Sequence, residues 1–212
     1  STAVLREALE TGHLEELPDL LAQAVEEARE VLDTTRDPQL SDIVLDRWTY
    51  REMTQLAGDT GSAFLLGYVR TQIDAANLRT LIRVARMGKS GEFLRGVLLP
   101  GGEVPPESVE KAGAAGAAGI TELYAPTRFQ AAAEAGAQAL QGGPLTEFER
   151  LCDDAVADYL DTARYVPFGE APLIGYLAAR ETEYTNLRIL LMGRSMGLDP
   201  DVIRSRLRAG CV

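Results

Sequence analysis

One six-residue pattern occurs twice in the chain, as Asp74-Ala75-Ala76-Asn77-Leu78-Arg79 and as Glu183-Tyr184-Thr185-Asn186-Leu187-Arg188. Each copy is an acid, two variable residues and Asn-Leu-Arg. Each is followed by a leucine (Leu81, Leu190), a Met-Gly pair (Met87-Gly88, Met196-Gly197) and an arginine (Arg95, Arg204). Every matched pair is separated by 109 positions, as 186 − 77 and 204 − 95 show. An offset shared at so many places is a duplication. It restricts the fold to repeated helical units, an arrangement that builds scaffolds more often than active sites.

Composition agrees with helices. Aromatic residues make up only 6% of the chain while Leu and Ala are plentiful, and strands favour aromatic and β-branched residues instead. The formal net charge of −11 argues against nucleic acid as a partner, because phosphate neutralisation needs a basic surface. No apolar run approaches the roughly 18 residues of a membrane span, and no signal segment opens the chain. Two cysteines, Cys152 and Cys211, and one histidine, His13, supply neither a disulfide framework nor a metal-ligand set, which points to the cytosol and to no cofactor.

Pattern and punctuation divide the chain into four spans. Residues 1–37 form an N-terminal helical segment, with Pro18 opening a helix that carries Leu20, Leu21, Ala24, Ala28 and Leu32 on one side. Residues 38–103 are a repeat unit. Its first helix follows Asp37-Pro38 with Ile43, Val44, Trp48 and Leu56 as its expected core face, and its long helix runs from about Ser62 to Met87. Residues 104–144, with Pro105-Pro106, the small-residue run from Ala112 to Gly119 and Gly142-Gly143-Pro144, read as an irregular connector with short helices. Residues 145–212 are the second unit, in which 172–196 mirrors 62–87.

Several apparent motifs have plainer readings. Gly88-Lys89-Ser90 lacks the upstream glycine of a phosphate-binding loop, where Arg83 stands, and it follows a helix rather than a strand, so it reads as a helix stop. Gly113, Gly116 and Gly119 are not embedded in a βαβ unit and read as a mobile or tightly packed connector. His13 has no nucleophile beside it in a recognisable arrangement, and acid pairs such as Asp153-Asp154 or Glu181 and Glu183 read as solvated faces in so acidic a chain. No residue is assigned a catalytic, cofactor-binding or metal-binding role.

The repeated motif itself reads as structural. Asparagine is a mediocre helix former because its side chain competes for backbone hydrogen bonds, so Asn77 and Asn186 in the middle of long helices are expected to bond a neighbouring element. Neither Asp74 nor Glu183 stands three or four residues from its arginine, so Arg79 and Arg188 are expected to pair with acids elsewhere. Leu78, Leu81 and Ile82, with Leu187, Leu190 and Leu191, are expected to continue a buried stripe. Arg79, Arg83 and Arg86 form a basic stripe that the second copy lacks beyond Arg188. That makes them the candidate interface for an acidic partner.

The chain resembles the family of C subunits (also called d subunits) of V-type and A-type rotary ATPases. The resemblance is carried by Phe64-Leu65-Leu66-Gly67-Tyr68 through Arg79, by the Leu98-Leu99-Pro100-Gly101-Gly102 turn, and by Glu181-Thr182-Glu183-Tyr184-Thr185-Asn186-Leu187-Arg188 through Met196-Gly197-Leu198 and Val202-Ile203. It implies an all-α protein of helical units related by pseudo-symmetry, part of a funnel-shaped assembly. Such a protein has no active site. It sits peripherally on the cytoplasmic face of the membrane, between the central-stalk subunits and the proteolipid rotor ring, and couples ATP hydrolysis or synthesis to ion transport. The family pattern has three units and this sequence shows two, so residues 1–37 read as the remnant of a missing first unit. The missing initiator methionine favours a fragment over a shortened relative, and a surface left uncovered in this way would favour a non-native dimer. The competing reading is a helical-repeat cytosolic adaptor with no membrane-ring partner.

Overall fold

Helices α1 (Thr2–Thr11), α2 (Asp19–Thr35) and α3 (Pro38–Asp59) form one compact unit, and the chain from Ser62 onward forms a second. These are the helices of a computed structural model that describes residues 2–209; the second cysteine, Cys211, lies outside the described residues. Among the described residues every regular element is helical.

In the first unit α2 and α3 pair as a hairpin. The turn between them is set by Arg36 in the left-handed conformation and by Asp37, whose carboxylate accepts from the Gln39 amide at 2.9 Å while Pro38 opens α3. Ser41 donates to the Ala28 carbonyl at 2.9 Å and the Trp48 indole donates to Glu27 at 2.6 Å. The expected core face of α3 is only partly realised. Val44 is buried, Ile43 and Trp48 are half-buried, and Leu56 is exposed because α2 reaches only one side of the longer helix.

The second unit is built around α4 (Ala63–Arg86). It packs against α5 (Gly91–Val97), α6 (Pro106–Tyr124), α7 (Gln130–Leu140) and α8 (Leu145–Asp161). Ser62 caps α4 by accepting from the Leu65 amide at 3.1 Å, and Gly88 ends it with φ of 63°. With neighbours around it, α4 buries Ile73, Leu78, Leu81 and Ile82 completely, each contributing about 1.5–3 kcal/mol.

The span 104–144, expected as an irregular connector with short helices, carries α6 and α7, and both pack in this core. Helix α6 is broken at Gly116 (φ 73°), yet Val109, Ile120 and Tyr124 along it are fully buried. Its small residues let helices approach: a Cβ at Gly113 would stand 2.8 Å from Leu81, and one at Gly136 of α7 would stand 2.9 Å from Ile82. Ala/Gly composition here reports close helix contact, not irregularity.

The Tyr124 hydroxyl is buried without a hydrogen-bond partner among the described residues. Its ring lies edge-on to Phe129, with centroids 6.4 Å apart. Tyr124→Phe keeps that contact and removes the unsatisfied group, so it is expected to raise stability by about 1 kcal/mol in urea denaturation.

A short 3₁₀ turn (Thr162–Tyr165) leads to α9 (Ala171–Ser195), the counterpart of α4, and then to α10 (Pro200–Arg204). Helix α9 touches α8, the 3₁₀ turn and α10, and buries only Ala171 and Gly193. The expected buried stripe therefore fails in the second copy. Leu78 is 0% exposed and Leu187 46%, while Ile82 is 0% exposed and Leu191 66%. The two helices share a sequence pattern but not a set of neighbours.

Candidate functional site

The repeated asparagine makes the same contact in both copies. Asn77 Nδ2 donates to the Leu99 carbonyl at 2.8 Å and its Oδ1 accepts from the Leu99 amide at 2.8 Å. Asn186 Nδ2 donates to the Arg208 carbonyl at 3.1 Å and its Oδ1 accepts from the Arg208 amide at 2.9 Å. Each pair is 22 residues apart. A side-chain amide carries a donor and an acceptor side by side, as a backbone residue does, so it can take up both polar groups of one residue. The sequence holds a signal for this contact: the repeat extends to Leu98 with Leu207 and to Gly101 with Gly210, on either side of the clamped positions.

Asp74 adds a second hold in the first copy. Its carboxylate accepts from the Glu103 amide at 3.0 Å and the Val104 amide at 3.1 Å. Gly102 is required there, since a Cβ at that position would stand 2.1 Å from Asp74 Oδ1. Together Asp74 and Asn77 fasten the segment after α5 onto the middle of α4. Glu183, the counterpart of Asp74, is exposed and pairs with Arg180 on its own helix; the counterpart of Glu103 is Val212, outside the described residues.

Burial pushes the Asp74 carboxyl up from its ordinary 3.8 to about 6, against the two amides that favour the charged form. A carboxyl with a raised folded-state pKa favours folding most when protonated. That contribution is complete below about pH 4 and is lost as pH rises through 6, a change on the order of 3 kcal/mol. Asp74→Asn is always neutral. The stability of the native chain relative to this variant should therefore fall by that order between pH 4 and 7, as read from urea titrations at each pH.

The basic stripe meets acids of α8. Arg79 Nε lies 3.0 Å from Glu149, its guanidinium also pairs with Asp153, and its side chain is 22% exposed. Arg83 pairs with Glu149 at 2.7 Å but is 57% exposed, and Arg86 reaches the Gly143 carbonyl at 3.3 Å from an exposed position. Asp153 also pairs with Arg208, and Asp154 accepts from the Ala209 amide at 2.9 Å while holding Arg150 at 2.6 Å. The adjacent acids Asp153-Asp154 thus tie α4 and the segment after α10 to α8. They are not the solvated face that the sequence suggests, and their partners, 74 and 55 residues away, give no local sign of themselves. Arg188 is exposed and has no ion-pair partner among the described residues.

Neither the remaining motifs nor Cys152 forms a reactive site. Ser90 of the Gly88-Lys89-Ser90 stretch caps α5 by accepting from the Phe93 amide at 3.2 Å. Cys152 is fully buried, and burial pushes its thiol up to about 12, which keeps it protonated and inert. His13 is exposed between α1 and α2. Among the described residues no group of His, Cys, Asp and Glu side chains is placed to hold a metal ion.

A duplicated helix with a clamped downstream segment is an architectural device. The family model for the ATP synthase (C/AC39) subunit matches residues 1–206. The chain belongs to this family. Its relatives include the C subunit of the V-type sodium ATPase of Enterococcus hirae, 27% identical over 208 residues, which make up 98% of this chain and 63% of the relative. The C subunit of the A-type ATP synthase of Haloferax volcanii is 28% identical over 152 residues, 66% of this chain and 40% of the relative. That of Methanocaldococcus jannaschii is 31% identical over 148 residues, 66% of this chain and 36% of the relative. This C/AC39 chain thus spans less than two thirds of the length of these relatives. No solved structure matches it significantly.

Proposed function

We propose that this chain is a non-catalytic central rotor subunit of a V/A-type rotary ATPase, coupling the central stalk to the membrane proteolipid ring during ion transport linked to ATP hydrolysis or synthesis. The observation that carries the reading is the match of the C/AC39 family over residues 1–206. The physical character of the second unit supports it. A coupling element must be stiff and broadly attached, and here Asp74, Asn77 and Asn186 hold the segments after the long helices directly on those helices. No helix among the described residues is long and apolar enough to cross a membrane, which suits peripheral attachment at the cytoplasmic face through the ring.

Within the basic stripe, Arg83 and Arg86 are the residues proposed to meet an acidic surface of the stalk, because both are exposed, whereas Arg79 is only 22% exposed and is held by both Glu149 and Asp153. Arg83→Glu with Arg86→Glu is expected to weaken stalk binding about tenfold or more while leaving the circular dichroism of the chain unchanged. Unaltered binding in a pull-down with the stalk subunits would remove the stripe from the interface. The reading as a whole is tested by isolating native membranes. A rotor component stays with the ring and stalk at moderate salt, whereas recovery only in the soluble fraction would favour a cytosolic helical-repeat adaptor.

A further inference from the structure

The start of α8 and the segment from Val202 to Leu207 form the two sides of an open groove of about 700 Å³. Arg150 lines it from α8, and Arg204 and Arg206 line it from the other side. These three arginines meet one acid in the lining, Glu147, although the chain as a whole carries a net charge of −11. Pro144, Val202 and Leu207 add apolar surface. The groove is held in shape by the clamp on the second copy: Asn186 and Asp153 hold Arg208, and Asp154 accepts from the Ala209 amide while it pairs with Arg150. We propose that this groove binds an acidic, partly aliphatic peptide segment of another protein, with its carboxylates taken by Arg204 and Arg206.

The first copy of the repeat displays the chemistry of such an occupant. Arg95, the counterpart of Arg204, meets both oxygens of the Glu110 carboxylate, which α6 brings to it, with Nε at 2.8 Å and Nη2 at 2.6 Å. Among the described residues Arg204 instead pairs with Asp201 of its own helix, at 2.7 Å, with side chains 74% and 85% exposed. A pair so exposed is weak and yields readily to an incoming carboxylate. Arg206 stands where the first copy has the buried Val97, and its guanidinium has no partner among the described residues. The second copy therefore offers two open guanidinium groups where the first satisfies one. Arg150 is held by Asp154 at 2.6 Å and contributes its charge rather than a free fork. Size and lining select a peptide over a free anion. The groove falls within the roughly 300–1,000 Å³ of clefts that hold whole small ligands, so a lone phosphate would leave most of it empty and Val202, 41% exposed, uncovered. The acidity of the rest of the chain does not forbid an acidic ligand, because charges more than about 8 Å away are largely screened at physiological salt while the arginines act at contact. The proposal uses none of the residues assigned to the stalk and does not depend on the rotary assignment.

The experiment is fluorescence anisotropy of the labelled acidic peptide EELDEVDE titrated with the chain, with its amide analogue QQLNQVNQ as an uncharged control of the same shape and inorganic phosphate as a competitor. The expected result is saturable binding of the acidic peptide with a dissociation constant on the order of 100 µM, and none of the amide analogue. Arg204→Gln with Arg206→Gln, both at exposed positions, should weaken binding at least about tenfold while the helical circular dichroism is retained. Amide chemical shifts in the native chain should move at Arg150 and from Arg204 to Leu207 as the peptide is added. Absence of saturation, equal binding of the amide analogue, or affinity unchanged in the double variant would each overturn the proposal. So would displacement of the peptide by equimolar phosphate, which would make the groove a general anion site, or shifts concentrated at Arg83 and Arg86 instead.

Discussion

Replacing Asn77 by leucine should cost roughly 2–6 kcal/mol, because it leaves both the N–H and the C=O of buried Leu99 without a partner at about 1–3 kcal/mol each. Asn186→Leu removes the same two hydrogen bonds. There both partners are only half-buried and water can replace the side chain, so the cost should be about 1 kcal/mol or less. Urea titration followed by circular dichroism measures both. The prediction is the contrast between two residues that the sequence presents as equivalent, and equal losses would mean that the surroundings do not decide the strength of the clamp.

Gly102→Val should be comparably damaging for a different reason. The first atom of any side chain at 102 would stand 2.1 Å from Asp74 Oδ1 and 3.2 Å from Ile73 Cγ2. The carboxylate or the turn must move, and the Glu103 and Val104 amides lose their acceptor. The expected loss is about 2–5 kcal/mol, with overpacking and the two stranded amides both contributing. A double-mutant cycle separates this cause from general loop damage. Asp74→Ala removes the group that Gly102→Ala would strike, so the double variant should be less destabilised than the sum of the single ones. Strict additivity would place the clash elsewhere.

What could be read from the sequence follows the physics of each feature. The long helices were legible because glycines, prolines and capping residues such as Ser62 and Asp37 mark their ends by local chemistry. The structural role of Asn77 and Asn186 was legible because asparagine is out of place inside a helix unless something uses its side chain. The packing of α6 and α7 was not. Their alanines and glycines lack the bulk that signals a core, and only the positions of Leu81 and Ile82 show that small residues are needed opposite them. The exposure of Leu187, Leu190 and Leu191 was equally hidden, since periodicity tells which side of a helix is apolar but not what covers it. Asp74 and Gly102 were separately visible as an acid and a turn glycine. Their contact spans 28 positions and required the turn to be folded back onto α4.

The central claim is that the duplicated Asn-Leu-Arg motif holds the segment 22 residues downstream onto each long helix. Amide hydrogen exchange at Leu99 and Arg208 tests it most directly. In the native chain both amides should be protected, Leu99 more strongly. In Asn77→Ala the Leu99 amide should exchange at least about tenfold faster while Arg208 is unchanged, and Asn186→Ala should reverse that selectivity. Protection at Leu99 that survives the loss of Asn77, with the rest of the core still folded, would contradict the account.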